Sequence, residues 1–205
     1  MLQLYFIRHG ETEWNVEQRL QGRLNSNLTE NGVRDALLLG NRFKDTSFDA
    51  VYVSPSKRTV DTAKLVLGER TVPFKTDERL MEIDLGDWEG RTIDEIKAMD
   101  PERYHLYQNH PSQFVGTGEC FVDVRSRLEA VLNELENVYE SGKLLIVTHG
   151  VVIKVLQAIC KNNSLDLVWE PPFIEGTSLT MVKIEAGKRE LLLEGDISHK
   201  EGVIK

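Results

Sequence analysis

Short apolar runs alternate along the chain with segments in which apolar residues recur every three or four positions. The apolar runs predict buried strands at three places: residues 2–7, 49–53 and 143–148. Helical spacing predicts four helices: one that begins after an N-cap at Thr29, then 56–67, 119–139 and 151–160. The segments 177–185 and 189–194 flank Ala186-Gly187-Lys188 and predict a hairpin at the edge of a sheet.

Strands that alternate with helices predict an α/β fold. We expect a three-layer, doubly wound, mostly parallel sheet with helices on both faces and an antiparallel hairpin at one edge. The length of 205 residues suits one domain, residues 1–205. Residues 83–118 interrupt the alternation with two short helical patterns, 92–99 and 101–109, and we expect this insertion to form a helical lid.

Charge and apolar content argue against several kinds of partner. The formal net charge of −8 disfavours nucleic acid and anionic membrane surfaces. No apolar stretch approaches the roughly 20 residues that cross a bilayer, and the amino terminus lacks a signal-peptide pattern, which predicts a cytoplasmic protein. Cys120 and Cys160 are too few for a disulfide framework or a zinc site, and we expect reduced thiols. The composition leaves the oligomeric state open.

Two strands end on a histidine followed by a glycine. Arg8-His9-Gly10 follows the first strand, and His149-Gly150 follows the strand at 143–148. Parallel strands present their carboxyl ends at one edge of the sheet, where α/β folds bind ligands, so we expect the two imidazoles to meet there. A neutral imidazole can attack phosphorus through one free ring nitrogen, if a backbone carbonyl holds the other. The pattern predicts phosphoryl transfer.

Arginine and amide side chains near this edge predict a phosphate-binding site. Arg8 offers planar donors that match two phosphate oxygens. Arg58 follows the strand at 49–53 at the start of a helix, where backbone N–H groups also favour an anion. Asn15 and Gln21 lie in the polar loop after the first strand, and each is equally suited to contact phosphate or to cap the loop.

A carboxylic acid is needed as well, because the alkoxide of a phosphate ester leaves poorly unless it is protonated. Glu82 is the candidate for this proton donor. By position alone, Glu78 and Glu89 are nearby alternatives, and any of the three could be a solvated surface charge.

Six segments together resemble one known family. They are LYFIRHGETEWN at 4–15, LTENG at 28–32, SPSKRTVDTA at 54–63, EIDLGDWEG at 82–90, GECFVDVRSR at 118–127 and VTHG at 147–150. Nearly the whole chain thus resembles the histidine phosphatase superfamily, also called phosphoglycerate mutase-like, and is most similar to its small bacterial broad-specificity phosphatases. The chain departs from the usual pattern at Thr59 and Asp61, where the family often has Ala and Gln.

The resemblance implies a role for each candidate. It implies that His9 is the nucleophile that becomes phosphorylated, and that Glu82 is first the general acid and then the base for water. It also implies a set of residues around the phosphate, namely Arg8, Asn15, Gln21, Arg58, His149 and Gly150.

The function expected from these residues is hydrolysis of small phosphate monoesters, with no cofactor. We expect no metal, because two histidines are too few ligands and the two arginines would repel a cation. A cofactor-dependent phosphoglycerate mutase and a non-catalytic module that binds phosphorylated ligands are the alternatives. A mutase must retain its product, and residues 83–119 carry eight acidic residues against three of Lys or Arg, which disfavours a second phosphate site.

Overall fold

The computed structural model describes residues 1–200 and contains one six-stranded sheet. Its strands are β1 (Leu2–Arg8), β2 (Ala50–Val53), β3 (Phe74–Thr76), β4 (Gly142–Thr148), β5 (Leu179–Glu185) and β6 (Lys188–Asp196). Their order across the sheet is β3-β2-β4-β1-β5-β6. The first four of these run parallel, whereas β5 runs antiparallel to β1 and forms the edge hairpin with β6. The predicted fold class is confirmed.

Within residues 1–200, seven α-helices surround the sheet. They are α1 (Glu13–Val16), α2 (Glu30–Arg42), α3 (Lys57–Leu67), α4 (Ile93–Met99), α5 (Pro101–Asn109), α6 (Phe121–Val138) and α7 (Gly150–Lys161). Alternate residues of β1 face opposite layers: Phe6 packs in the core under α6 and α7, and Ile7 packs in the core under α2 and α3. The predicted N-cap of α2 is also present, since Thr29 Oγ1 accepts a hydrogen bond from the Gly32 N–H at 3.0 Å.

Residues 83–118 form a folded insertion whose aromatic residues join the core under α6 and α7. Trp88, Tyr107 and Phe114 are buried and pack against one another as tilted or edge-on rings. Backbone hydrogen bonds join the insertion to the loop after β1, including Gly90 N–H to Leu20 O at 2.8 Å. The insertion is therefore attached to the loop that carries Asn15 and Gln21.

Two short elements were not predicted. β3 has three exposed residues and follows Pro73, so it shows neither an apolar run nor an alternation. α1 has four residues, which is too short to display a helical period. Within residues 1–200, every helix is too short or too polar to span a bilayer.

Candidate active site

The two predicted histidines lie side by side at the carboxyl edge of the parallel strands. Arg8 at the end of β1 pairs with Thr148 at the end of β4, and the His9 N–H donates to Thr148 O at 3.0 Å. His9 and His149 each follow their strand, and their ring centroids lie 5.4 Å apart. Both side chains are buried. The sheet thus places the two imidazoles in contact, although 140 positions separate them in the sequence.

His9 is held as a single tautomer by its own neighbour. Its Nδ1 lies 2.8 Å from Gly10 O, which can only accept, so Nδ1 carries the proton. Nε2 therefore carries a free lone pair and has no hydrogen-bond partner among the described residues. Burial, with the Arg58 and Arg8 charges, holds the pKa of His9 well below its usual value. The ring is therefore neutral at neutral pH.

Gly10 allows this geometry because the chain is crowded there. A Cβ on Gly10 would lie 2.8 Å from Gly32 O at the start of α2. The Gly10 N–H donates to Thr62 Oγ1 at 2.9 Å, which ties the loop after β1 to α3. A side chain at this position would therefore push the loop away from two helices.

Arg58 is almost fully buried and is fixed by the loop after β1. Its Nη1 donates to Leu24 O at 2.5 Å and to Asn25 Oδ1 at 2.9 Å. Its Nη2 donates to Gly22 O at 2.7 Å and faces His149 Nδ1 at 3.0 Å. Burial lowers the pKa of Arg58 to about 10, so the group stays cationic at neutral pH.

Two guanidinium nitrogens at this site lack a partner within the described chain. They are the buried Nε atoms of Arg8 and Arg58. Arg8 otherwise donates through Nη1 to Ile174 O at 2.7 Å. An unpaired buried donor on a cation is costly, and an anion would satisfy both groups. The site therefore fits a phosphoryl group.

The Glu82 side chain reaches the amino-terminal end of α7 from the loop that precedes the insertion. Its Oε1 accepts from the Ile83 N–H at 3.0 Å and its Oε2 from the Val151 N–H at 3.3 Å. Burial raises the pKa of Glu82 above its usual value, although these N–H groups, Arg58 and Arg8 oppose the shift. The carboxyl group therefore holds its proton to a higher pH than an exposed glutamate, as a proton donor requires.

The loop amides of Asn15 and Gln21 line the same cavity, but both bond within the loop. Asn15 Oδ1 accepts from the N–H and Oγ1 of Thr12, which completes a capping box at the start of α1. Gln21 Nε2 donates to Thr12 Oγ1 at 2.7 Å. Loop capping is thus observed for both residues, and phosphate contact stays a prediction. Gly150, the first residue of α7, also lines the cavity.

The cavity around these groups measures about 510 Å³ and is mostly apolar away from the arginines. Its apolar lining consists of Leu20, Ile83, Leu85, Ile93, Tyr107, Val151, Trp169, Pro171, Phe173 and Ile174. Lys154 reaches the lining from α7, where its ammonium donates to the carbonyl oxygens of Glu170 and Pro172. The insertion and the segment before β5 meet there, since Trp169 Nε1 donates to Tyr107 O at 2.7 Å.

Sequence reasoning missed Lys154 and the wall formed by residues 169–174. A topological signal was available for the wall. Because β5 is antiparallel to β1, with Leu179 opposite Ile7, the segment before β5 arrives at the edge where β1 ends. A predicted edge hairpin next to β1 would have placed residues 169–178 beside the site.

Among residues 1–200, no cluster of three or more His, Cys, Asp or Glu side chains is arranged to hold a metal ion. The described site brings together two imidazoles, two guanidinium groups and one carboxyl group. Buried cationic groups beside a neutral histidine are chemically suited to an anion.

Comparison with known proteins gives the family. A sequence model described as "Histidine phosphatase superfamily (branch 1)" matches residues 4–197. The chain belongs to the histidine phosphatase superfamily, and the resemblance noted in its sequence is confirmed.

Similar proteins carry both phosphatase and mutase names. A "Probable phosphoglycerate mutase GpmB" of Proteus mirabilis is 36% identical over 157 residues, which cover 76% of this chain and 73% of that protein. "Phosphoserine phosphatase 1" of Hydrogenobacter thermophilus is 30% identical over 171 residues, which cover 82% and 81%. The solved structure of Bacillus stearothermophilus YhfR is 45% identical with a TM-score of 0.92, covering 97% of this chain and 99% of that one.

Proposed function

We propose that this protein is a phosphatase that hydrolyses small phosphate monoesters through a phosphohistidine on His9. The observation that carries the proposal is the state of the His9 ring. It is neutral, its Nδ1 is bound to Gly10 O, and its free Nε2 lies in a cavity that Arg8 and Arg58 also line. A nucleophile with a free lone pair beside two cations is what attack on a phosphate dianion requires.

In the first step, His9 Nε2 attacks phosphorus and the bond to the ester oxygen breaks. Glu82, as the carboxylic acid, gives its proton to that leaving oxygen. The Nε atoms of Arg8 and Arg58 stabilise the charge on the phosphoryl oxygens, because they are buried donors without another partner. The products are the free alcohol and phosphohistidine.

In the second step, water replaces the alcohol. The Glu82 carboxylate now takes a proton from water, and the water oxygen attacks phosphorus. The bond between phosphorus and Nε2 breaks, inorganic phosphate leaves, and Glu82 is again protonated. One carboxyl group thus serves as acid and then as base, and no metal enters either step.

The apolar lining supports hydrolysis over mutase activity. Among the cavity-lining residues, Arg19 and Lys154 are the cations besides Arg8 and Arg58. Arg19 Nε is paired with Glu17 Oε2 at 2.6 Å, and Lys154 is held by backbone carbonyls. A retained phosphoglycerate needs cations for its carboxylate and second phosphate. These two are already engaged, so we propose that the alcohol product leaves.

A turnover screen tests this function. The panel contains alkyl and aryl phosphate monoesters, phosphoserine and 3-phosphoglycerate, each assayed with and without chelator. We expect phosphate release from several esters, no effect of chelator and negligible isomerisation of 3-phosphoglycerate. His9→Ala is the control and should be inactive. Isomerisation faster than phosphate release would favour the mutase, and zero turnover on every ester would favour a binding module.

A further inference from the structure

The protonation of His149 follows from its partners. Nδ1 lies 3.0 Å from Arg58 Nη2, and a guanidinium can only donate. Nδ1 must therefore be the acceptor, and the ring proton must be on Nε2. Burial and the Arg58 charge also hold the pKa of His149 well below its usual value, which agrees with a neutral ring.

The Nε2–H of His149 points at a buried serine. Ser54 Oγ lies 2.7 Å from Nε2 and accepts its proton in this tautomer. The Ser54 hydroxyl in turn faces Ser56 Oγ at 3.4 Å. Both Ser54 and His149 are completely buried, so this nitrogen has no access to water as an alternative acceptor.

Ser54 is held rigidly where β2 ends. Its N–H donates to Val147 O at 3.0 Å, and its carbonyl accepts from Thr59 Oγ1 at 2.7 Å in the first turn of α3. The hydroxyl therefore has a fixed position relative to β4, which carries His149. A ring anchored at Nε2 keeps Nδ1 directed at Arg58.

We propose that Ser54 is a positioning residue that acts through His149 on Arg58. The Ser54 hydroxyl anchors the imidazole, the imidazole accepts from Arg58 Nη2, and this bond helps to hold the guanidinium with its Nε free for the phosphoryl group. Both ring nitrogens of His149 are thus hydrogen-bonded to protein partners. The consequence for turnover rests on the proposed function, whereas the contact between Ser54 and His149 does not.

Histidine-selective nitrogen-15 NMR of the full chain tests the contact directly. We expect the wild-type His149 ring to show a protonated Nε2, whose proton exchanges slowly with water, and an unprotonated Nδ1. His149→Gln identifies the signal by removing it. In Ser54→Ala this Nε2–H signal should shift and exchange faster, because its acceptor is gone.

Ser56→Ala is the matched control. It removes the same atom from a buried serine two positions away that makes no side-chain capping bond to α3. Among the described residues, Ser56 Oγ accepts only the long 3.4 Å bond from Ser54 Oγ and does not touch His149, so this variant keeps the oxygen that accepts from Nε2. Because Ser54 Oγ is retained as the acceptor, the His149 Nε2–H signal should shift much less than in Ser54→Ala and should still exchange slowly. In the turnover assay, Ser54→Ala should lower kcat/KM about tenfold, the scale of one lost hydrogen bond, and Ser56→Ala should leave it unaltered.

The two readouts separate the failure of this proposal from the failure of the proposed function. A wild-type ring protonated at Nδ1, or an Nε2–H signal that Ser54→Ala leaves unchanged, would overturn the contact. An altered signal with equal kcat/KM losses in Ser54→Ala and Ser56→Ala would overturn the positioning role. If the wild type hydrolyses no ester, the proposed function is refuted. The NMR measurement still tests the contact between Ser54 and His149, because it does not depend on turnover.

Discussion

Replacing Glu82 with glutamine should slow the hydrolysis of phosphate esters. The loss of rate should be larger for esters whose leaving group must be protonated. Glutamine keeps one carbonyl oxygen for one of the N–H donors, Ile83 or Val151, but its amide cannot release a proton. General acid catalysis contributes about 10² to 10⁴ in rate. We therefore expect kcat/KM for an alkyl phosphate to fall by at least about 10², and kcat/KM for an activated aryl phosphate to fall far less.

The assay is steady-state kinetics on both esters, read as kcat/KM. This ratio reports the steps up to phosphorylation of His9, so it isolates the acid role of Glu82 from its later role as base. With the aryl ester, the slow second step should appear separately. Glu82→Gln should release one equivalent of the phenol rapidly and then turn over slowly.

Glu78→Gln is the matched control, because Glu78 is an exposed glutamate outside the cavity lining. It should match the wild type on both esters. Equal losses of kcat/KM on the alkyl and aryl esters in Glu82→Gln would refute the proton-donor role. The variant also leaves one of two buried N–H groups facing an amide NH₂, which should cost about 1–3 kcal/mol in the free energy of unfolding.

Three further predictions follow from the same geometry. The kcat/KM for an alkyl ester should rise with pH as His9 loses its proton, at a pH below the usual histidine pKa. It should fall again as Glu82 ionises, at a pH above the usual glutamate pKa, and a fall that persists in Glu82→Gln would contradict this assignment. Gly10→Ala should lower the free energy of unfolding by about 1–3 kcal/mol in chemical denaturation, because its Cβ would lie 2.8 Å from Gly32 O; wild-type stability would show that the loop is free to move. Arg58→Lys should weaken competitive inhibition by inorganic phosphate at least about tenfold, and an unchanged inhibition constant would place the anion elsewhere.

The edge of the sheet was predictable from local patterns. The apolar runs that precede His9, Ser54 and His149 are each long enough to predict a buried strand. Parallel strands then bring their carboxyl ends together whatever the sequence separation. The same argument located Arg58, because it lies in the first turn of α3, the helix that follows such a strand.

Other features depended on contacts between distant segments. Glu82 lies in no regular element, and the choice of it over Glu89 came from the family resemblance. The structure shows the difference: Glu82 lines the cavity, whereas Glu89 Oε1 accepts from the backbone N–H groups of Arg23 and Leu85. The tie between Ser54 and His149 spans 95 positions, and no local pattern encodes it.

Detection of a phosphoenzyme tests the proposed role of His9 most directly. The wild-type protein is mixed with an aryl phosphate, quenched in alkali, which preserves phosphohistidine, and digested for mass spectrometry. We expect one phosphoryl group, on the peptide that contains His9, and none in His9→Ala. Rapid turnover with no phosphorylated histidine at any time point, or a phosphoryl group on another residue, would contradict it.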